Sequence, residues 1–335
     1  MKHFLTKLQN SDSLTEQEIQ EVFLAIIEKK YDDLQIAAFL FALSVKGETP
    51  QEILQLVKIL KKKAITIKAP QNAIDVCGTG GDGHNTLNIS TAVAFVVAAC
   101  GVAVAKHGNK SVSSLSGSSD VLLEMGINIM APQEKMEECL FAHNIAFLFA
   151  PNYHKSLAKI APVRQALKVR TIFNLIGPLL NPANVSRQLI GVYNQELLKV
   201  YSEVLVNLNY DKILVVNSSD GLDEISVCDY TNIIEISKTH CQEYSIHPKQ
   251  FGINIAKISD LKGMGAKYNA ERMKKLFDGK KDAYYDAVLL NAAAGLYVAG
   301  KYATIEDSLT RTEEALDKGE VKEKYNNMRG FLENG

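Results

Sequence analysis

This sequence has almost no net charge. Its 335 residues carry 37 lysines and arginines against 38 aspartates and glutamates, a formal net charge of -1. That balance argues against a broad basic face for nucleic acid or anionic membrane, so any anion site must be local and shaped. Cysteine is also scarce. The five, Cys77, Cys100, Cys139, Cys228 and Cys241, are odd in number, irregularly spaced and form no C-x-x-C pair. Neither a disulfide framework nor a zinc site is indicated, and all five read as buried thiols of a cytoplasmic protein. Long hydrophobic runs are missing too. The longest, Ala92 to Ala105, is broken by Gly101 and is too short for a membrane span; it reads as a buried helix turning into a buried strand. Met1 to Leu5 lacks the apolar core of a secretory signal. There is no G-x-x-x-x-G-K-[ST] phosphate loop, no internal repeat and no low-complexity tract.

Apolar residues make up 47% of the chain, enough to bury a large core in one big domain or two ordinary ones. The first third reads as helices. Ser13 and Glu16 form a capping box before Val22, Ile26 and Ile27 at helical spacing. A second helix runs from Asp33 to Val45 and stops at Gly47. A third starts at Thr49-Pro50 and ends in Lys61-Lys62-Lys63, where a helix dipole favours cations. After Ala69-Pro70 the pattern changes. Strands are predicted at Ala73–Cys77, Val102–Ala105, Ile145–Phe149, Leu189–Tyr193, Lys212–Asn217 and Ile233–Ile236. Helices are predicted at 88–100, 132–142, 195–207, 267–278, 283–299 and 304–318. Alternation of this kind predicts an α/β fold: a small all-helical domain plus a larger α/β domain with a mostly parallel central sheet. Residues 151–185 break the alternation and are assigned to the small domain with 1–68. Residues 69–150 and 186–335 form the large one. Beyond Lys318 the polar tail is expected to fray.

Four segments carry candidate chemistry. Gly78-Thr79-Gly80-Gly81-Asp82-Gly83 follows a strand, and its glycines let backbone N–H groups approach an oxyanion. It matches G-x-G-x-x-G, but the helix opens only near Asn88 and no carboxylate occurs between Ala98 and Ala105, so a dinucleotide site is rejected. Asn88-Ile89-Ser90-Thr91 opens the buried helix. Ser90 and Thr91 are expected to cap it, and its N-terminus suits phosphate. Lys106-His107-Gly108-Asn109-Lys110 leads into a serine-rich run from Ser111 to Ser119, beginning at the C-terminal end of a strand, where open α/β sheets bind ligands. A solvated linker is the alternative. Asp220-Gly221-Leu222-Asp223-Glu224 sets carboxylates on a loop, suited to Mg²⁺ or simply to an acidic turn. Arg164, on a helix, has the fork to grip a carboxylate, although a lone helix arginine is usually a surface residue.

Together these segments resemble the anthranilate phosphoribosyltransferases. The match rests on Gly78 to Asp82, Asn88 to Thr91, Lys106 to Asn109, Ser113-Ser114, Gly117-Ser118 and Asp223-Glu224. It extends to Arg170-Thr171-Ile172-Phe173-Asn174, Gly177-Pro178-Leu179 and Asn181-Pro182. The resemblance implies a homodimer, an active site at the hinge of the two domains, and transfer of a phosphoribosyl group from phosphoribosyl pyrophosphate (PRPP) to anthranilate in tryptophan biosynthesis. It implies a PRPP site of Gly78, Gly81, Asp82, Thr86, Asn88, Ile89, Ser90, Thr91, Lys106, Ser114 and Ser118. Ser90, Asp223 and Glu224 would hold two Mg²⁺ ions. Anthranilate would meet Gly78, His107, Asn109, Arg164, Gly177 and Pro178. Lys106 and His107 are the catalytic candidates, with proton removal and packing both open for His107. Two positions depart from the family: Lys168 stands where glycine is common, and Ser119 where alanine is. A pyrimidine nucleoside phosphorylase and a non-catalytic nucleic-acid-binding paralogue remain as alternatives. The Lys106-to-Asn109 loop and Arg164 speak against the first, and the Asp223-Glu224 pair with the near-zero net charge against the second.

Overall fold

The structure is a computed structural model and describes residues 1–110 and 115–333. The chain forms two compact units, Met1–Thr66 with Ala150–Pro182, and Ile67–Phe149 with Ala183–Gly335.

The first unit is helical because three sequence signals each start a helix. Thr15, Asp32 and Thr49 each accept the N–H of the residue three positions on, and Glu18, Gln35 and Glu52 return the bond. Each such cap contributes about 1 kcal/mol. The first box therefore uses Thr15 and Glu18, not Ser13 and Glu16: the helix Glu16–Ile27 begins two residues later than the sequence pattern suggested. Glu52 is buried, accepts Leu14 N at 3.1 Å and pairs with Lys46 Nζ at 2.9 Å, so one carboxylate ties three segments. Phe23 packs edge-on against Phe39 and Phe173 at 5.6 and 6.1 Å, which joins residues 150–182 to the N-terminal helices.

The second unit is built on a seven-stranded sheet. Its strands are β1 (Ile74–Gly78), β2 (Val104–Gly108), β3 (Ile145–Phe149), β4 (Arg187–Gly191), β5 (Lys212–Ser218), β6 (Thr231–Ser237) and β7 (Cys241–Ile246). The spatial order is β3-β2-β1-β4-β5-β6-β7. The first five are parallel, and β6 and β7 return antiparallel. The chain winds outward from β1 to β3, then resumes on the other side of β1 with β4. The ends of β1 and β4 therefore form a topological switch point, where such sheets open a crevice. The helix Ala283–Val298 is buried nearly throughout; Gly295 lets it close on the helix Ile89–Ala99, since a Cβ there would lie 2.9 Å from Val97 Cγ2.

Further expectations need correction. The tail does not fray: Glu320–Glu333 is a helix that buries Val321, Tyr325, Met328 and Leu332, an i, i+4, i+7, i+11 stripe masked by polar neighbours. The edge strand β7 was missed because its residues are mostly exposed and polar, as edges commonly are. Of the cysteines, Cys77, Cys100 and Cys139 are buried, but Cys228 is partly exposed and Cys241 exposed. Among the described residues no helix is long and apolar enough to cross a membrane.

Candidate active site

Three loops meet at the C-terminal ends of β1, β2 and β5. The first leaves β1 at Gly78. Gly80, Gly81 and Gly83 take φ values of +65°, +81° and +80°, a left-handed path open to glycine at little cost. Asp82 accepts His84 N at 3.1 Å and so shapes the loop from within. Its far limb, Asn85 to Leu87, is held by a separate segment: Gly263 N donates to Asn85 O and Leu87 N to Leu261 O, both at 2.8 Å. Thr86 bridges Lys262 in this short antiparallel contact.

Asn88 then occupies the N-cap of the helix Ile89–Ala99 but makes no side-chain capping bond. Ser90 and Thr91 do not cap either. They lie inside the first turn, because the helix begins one residue after Asn88.

The second loop was expected to start at Lys106. Instead β2 continues to Gly108, and Lys106 and His107 are buried strand residues. The sequence reading ended the strand at its first charge, but that charge is accommodated. Lys106, only 4% exposed, donates to Val76 O at 2.5 Å and Ser90 Oγ at 3.2 Å. Among the described residues β1 and β2 register at Ile74 and Val104. Farther along, side chains bridge the two: Lys106 reaches Val76, and Asp75 Oδ1 accepts His107 N at 3.2 Å. Gly108 must be glycine, because a Cβ would meet Ser118 Oγ at 2.6 Å and Phe147 at 2.7 Å. Ser118 donates to Asn109 O at 3.4 Å, which ties the start of the helix Ser118–Glu124 to the end of β2. Ser114 lies outside the described residues.

The third loop follows β5 and carries the carboxylates. Asp223 Oδ2 accepts Gly80 N at 2.7 Å and Glu224 Oε1 accepts Ser90 N at 3.1 Å. One carboxylate therefore faces the glycine loop and the other the helix start. The approach needs two glycines: a Cβ on Gly78 would strike the Asp223 carboxylate, and one on Gly191 the Asp223 backbone. Asp220 stands apart, bonded to Ser226 Oγ and Leu222 N in its own turn. Both Asp223 and Glu224 keep partial exposure, yet the protein packed around them pushes both above the ordinary carboxylate range. Burial is the chief cause for each; Asp82 adds repulsion on Asp223, and Asp223 on Glu224, while Lys106 counteracts. Two crowded carboxylates that resist ionising side by side are a donor set that a hard divalent cation would relieve. Among the described residues no cluster of three or more His, Cys, Asp or Glu side chains forms a closed metal cage. An open pair suits Mg²⁺, which commonly takes one or two carboxylates and completes its shell with water and phosphate oxygens.

In the helical unit, Arg164 lies on the helix Ala161–Leu167 with its guanidinium 5.3 Å from the Phe173 ring centroid. It is half-buried, and burial lowers its pKa with no carboxylate contributing among the described residues. Farther along, after the short helix Ile172–Leu175, the turn Gly177–Leu180 buries Pro178 and leaves open space where a Gly177 Cβ would be. Lys168 caps the arginine helix at φ +52°, a left-handed conformation that favours glycine, so the departure costs backbone strain.

Sequence reasoning missed Gly191, Asn269, Tyr284 and Asn291. Asn291 had a visible signal, a lone amide in the apolar run Val288 to Leu296. A buried amide needs partners, and it finds Ile225 N and O at 2.9 and 2.7 Å, clamping the chain just after Glu224.

The helical-bundle domain model of a glycosyl transferase family matches residues 2–64, and the α/β-domain model of that family matches residues 70–322. The anthranilate phosphoribosyltransferase of Acetivibrio thermocellus is 42% identical over 332 residues, covering 99% of this chain and 96% of the relative. That of Paramagnetospirillum magneticum is 43% identical over 322 residues, covering 96% and 93%. The crystal structure of the Thermus thermophilus enzyme superposes with a TM-score of 0.91 at 36% identity, covering 98% of this chain and 99% of that one. A yeast anthranilate phosphoribosyltransferase in complex with PRPP and Mg shares the fold at 24% identity and a TM-score of 0.91, covering 99% and 98%. With relatives this close along its full length, this chain belongs to the anthranilate phosphoribosyltransferase family of glycosyl transferases.

Proposed function

We propose that the protein transfers the phosphoribosyl group of PRPP to the amine of anthranilate, giving N-(5-phosphoribosyl)anthranilate and pyrophosphate, a step of tryptophan biosynthesis. The observation that carries this reading is the meeting of the glycine loop, the helix start at Ser90, Lys106 and the Asp223-Glu224 pair at the sheet's switch point. Its relatives' shared name points the same way.

PRPP is assigned to Gly78, Gly81, Asp82, Thr86, Asn88, Ile89, Ser90, Thr91, Lys106 and Ser118, with Ser114 outside the described residues. Anthranilate is assigned, as the resemblance implies, to Gly78, His107, Asn109, Arg164, Gly177 and Pro178. Two Mg²⁺ ions are assigned to Ser90, Asp223 and Glu224, because the carboxylates face two separate elements rather than one point. When bound, the metal offsets charge on the departing pyrophosphate.

An aromatic amine is neutral at pH 7 and attacks without prior deprotonation. The barrier lies in pyrophosphate departure and the cationic sugar that develops. Lys106 is already fixed by Val76 and Ser90, so its ammonium meets the growing negative charge without reorganising. The glycine-loop N–H groups and the helix start orient the phosphates, and alignment of the two substrates supplies the remainder. No side chain needs to act as a nucleophile. His107 is assigned packing and polar contact.

Incubating the protein with PRPP, anthranilate and MgCl₂ is expected to extinguish anthranilate fluorescence and release one pyrophosphate per anthranilate consumed. Excess EDTA should abolish the reaction, and full activity in EDTA would remove the metal from this reading.

A homodimer is assigned to the helical unit. Leu34, Phe41 and Val45 are 83%, 50% and 71% exposed at i, i+7 and i+11 on the helix Asp33–Lys46, a stripe that a second copy would cover. The wild type should run as a dimer by light scattering at micromolar concentration. Phe41→Glu with Val45→Glu should halve the mass while helical content persists. A monomeric wild type, or an unaltered mass in the variant, rules out this interface.

A further inference from the structure

Among the buried amides that the proposed reaction does not use, Asn269 stands closest to the assigned PRPP residues, bonded directly to Asn88. Asn269 is 2% exposed near the start of the helix Ala266–Phe277. Its Nδ2 donates to Asn88 Oδ1 at 2.8 Å and to Ser116 Oγ at 3.0 Å, and its Oδ1 accepts Met264 N at 3.2 Å. These three bonds go to three loops: the helix start after the glycine loop, the serine-rich loop, and the segment that bridges Thr86.

The consequence for Asn88 is specific. An asparagine at an N-cap ordinarily turns its side-chain oxygen onto the second or third N–H of its helix. Here that oxygen is drawn to Asn269, and the Asn88 carbonyl is held by Tyr284 OH at 3.2 Å. The helix Ile89–Ala99 is therefore left without a cap from its own N-cap side chain; Ile89 N meets Leu87 O and Ser90 N the Glu224 carboxylate, so Asn88 does not compete for the N–H groups of the leading turn. The bridging segment is equally confined. A Cβ on Gly263 would lie 2.7 Å from Asn269 Oδ1 and 2.9 Å from Thr86 O.

We infer that Asn269 is a positioning residue for PRPP: by binding Asn88 and Ser116 together it withholds Asn88 from capping and sets the glycine and serine loops at one spacing. The inference rests on the PRPP assignment above. Asn269 acts through other residues, so its removal should act on PRPP and not on anthranilate. Breaking a buried amide's bonds and restoring the Asn88 cap should weaken PRPP binding roughly tenfold or more.

The test is calorimetric titration of the full-length protein with PRPP in MgCl₂, together with KM and kcat for both substrates. Asn269→Ala removes the amide, and Asn269→Leu removes it while keeping most of its volume. Both should raise the Kd and KM for PRPP by roughly tenfold or more, with the KM for anthranilate and kcat at saturating PRPP within about threefold of wild type. A defect of packing alone would spare the leucine variant or disturb both substrates alike, and either result overturns the inference. So does wild-type PRPP affinity in either folded variant. If neither variant melts cooperatively, Ser116→Ala decides. It removes one of the two acceptors and should weaken PRPP a few-fold, whereas unchanged affinity overturns the inference. A wild-type protein that takes up no PRPP in MgCl₂ defeats the PRPP reading itself, and this inference with it.

Discussion

Replacing Asp223 and Glu224 together by alanine is expected to lower turnover about a thousandfold, some 4 kcal/mol of transition-state stabilisation. The fold should survive. Both side chains sit on a loop, and the turn that carries them is held from elsewhere, by Asn291 on the backbone of Ile225 and by Asp220 on Ser226. Gly80 N and Ser90 N lose their acceptors, but Gly80 is exposed and Ser90 only half-buried, so water can replace those bonds. If the double variant keeps wild-type turnover at matched MgCl₂, the carboxylates do not carry the metal.

The same pair gives a pH signature that does not depend on turnover. Both carboxyls are raised in the metal-free protein, Glu224 further than Asp223, so the folded state holds protons that the unfolded chain has released. Their contribution to stability is fully present below the unfolded pKa. It is lost as pH rises through the raised values, because the folded state must then carry two crowded charges. Metal-free wild type should therefore lose stability across that window, and MgCl₂ should restore it, with protons released on binding. Calorimetry in buffers of different ionisation enthalpy measures those protons. Mg²⁺ uptake without proton release in the lower part of the window contradicts the raised pKa values.

Arg164→Ala is expected to raise the KM for anthranilate by roughly tenfold to a few hundredfold, since a charge-assisted hydrogen-bonded pair is worth about 1.5–3 kcal/mol. The anthranilate ring is flat and mostly apolar, so its carboxylate is the strongest handle a protein can grip. Arg164 is prepared for this. Phe173 holds its guanidinium plane, and burial works against the charge with no carboxylate compensating among the described residues, so an incoming carboxylate is favoured. The KM for PRPP should stay near wild type. Arg164→Lys should recover only part of the loss, because the charge remains while the two-pronged geometry is gone. Equal KM values for anthranilate in wild type and Arg164→Ala would leave this arginine as a surface residue of its helix.

Much of this protein was legible in its sequence, wherever the signal is local. Alternation placed six of the seven strands, and Ile145–Phe149 to the residue, because a buried strand is a short apolar run bounded by polar turns. Thr49 marked its helix start because an N-cap is satisfied within four residues. The glycine loop declared itself by composition, since glycine tolerates the left-handed path at least cost, whereas the Asp223-Glu224 pair read by itself as an acidic turn as much as a cation site and stood out only through the resemblance. The tertiary structure decided what depends on distant partners. Lys106 reads as the start of a loop until Val76 O and Ser90 Oγ, 30 and 16 residues away, give its buried charge somewhere to go. Ser90 and Thr91 read as helix caps, but the structure puts Asn88 at the N-cap and gives its oxygen to Asn269, 181 residues on. Gly191 reads as one residue within the strand Leu189–Tyr193 until the backbone of Asp223 leaves no room for a side chain. Local pattern follows from what each residue prefers by itself. Hydrogen-bond partners and forbidden volume belong to pairs of residues, and only the folded chain says which pairs meet.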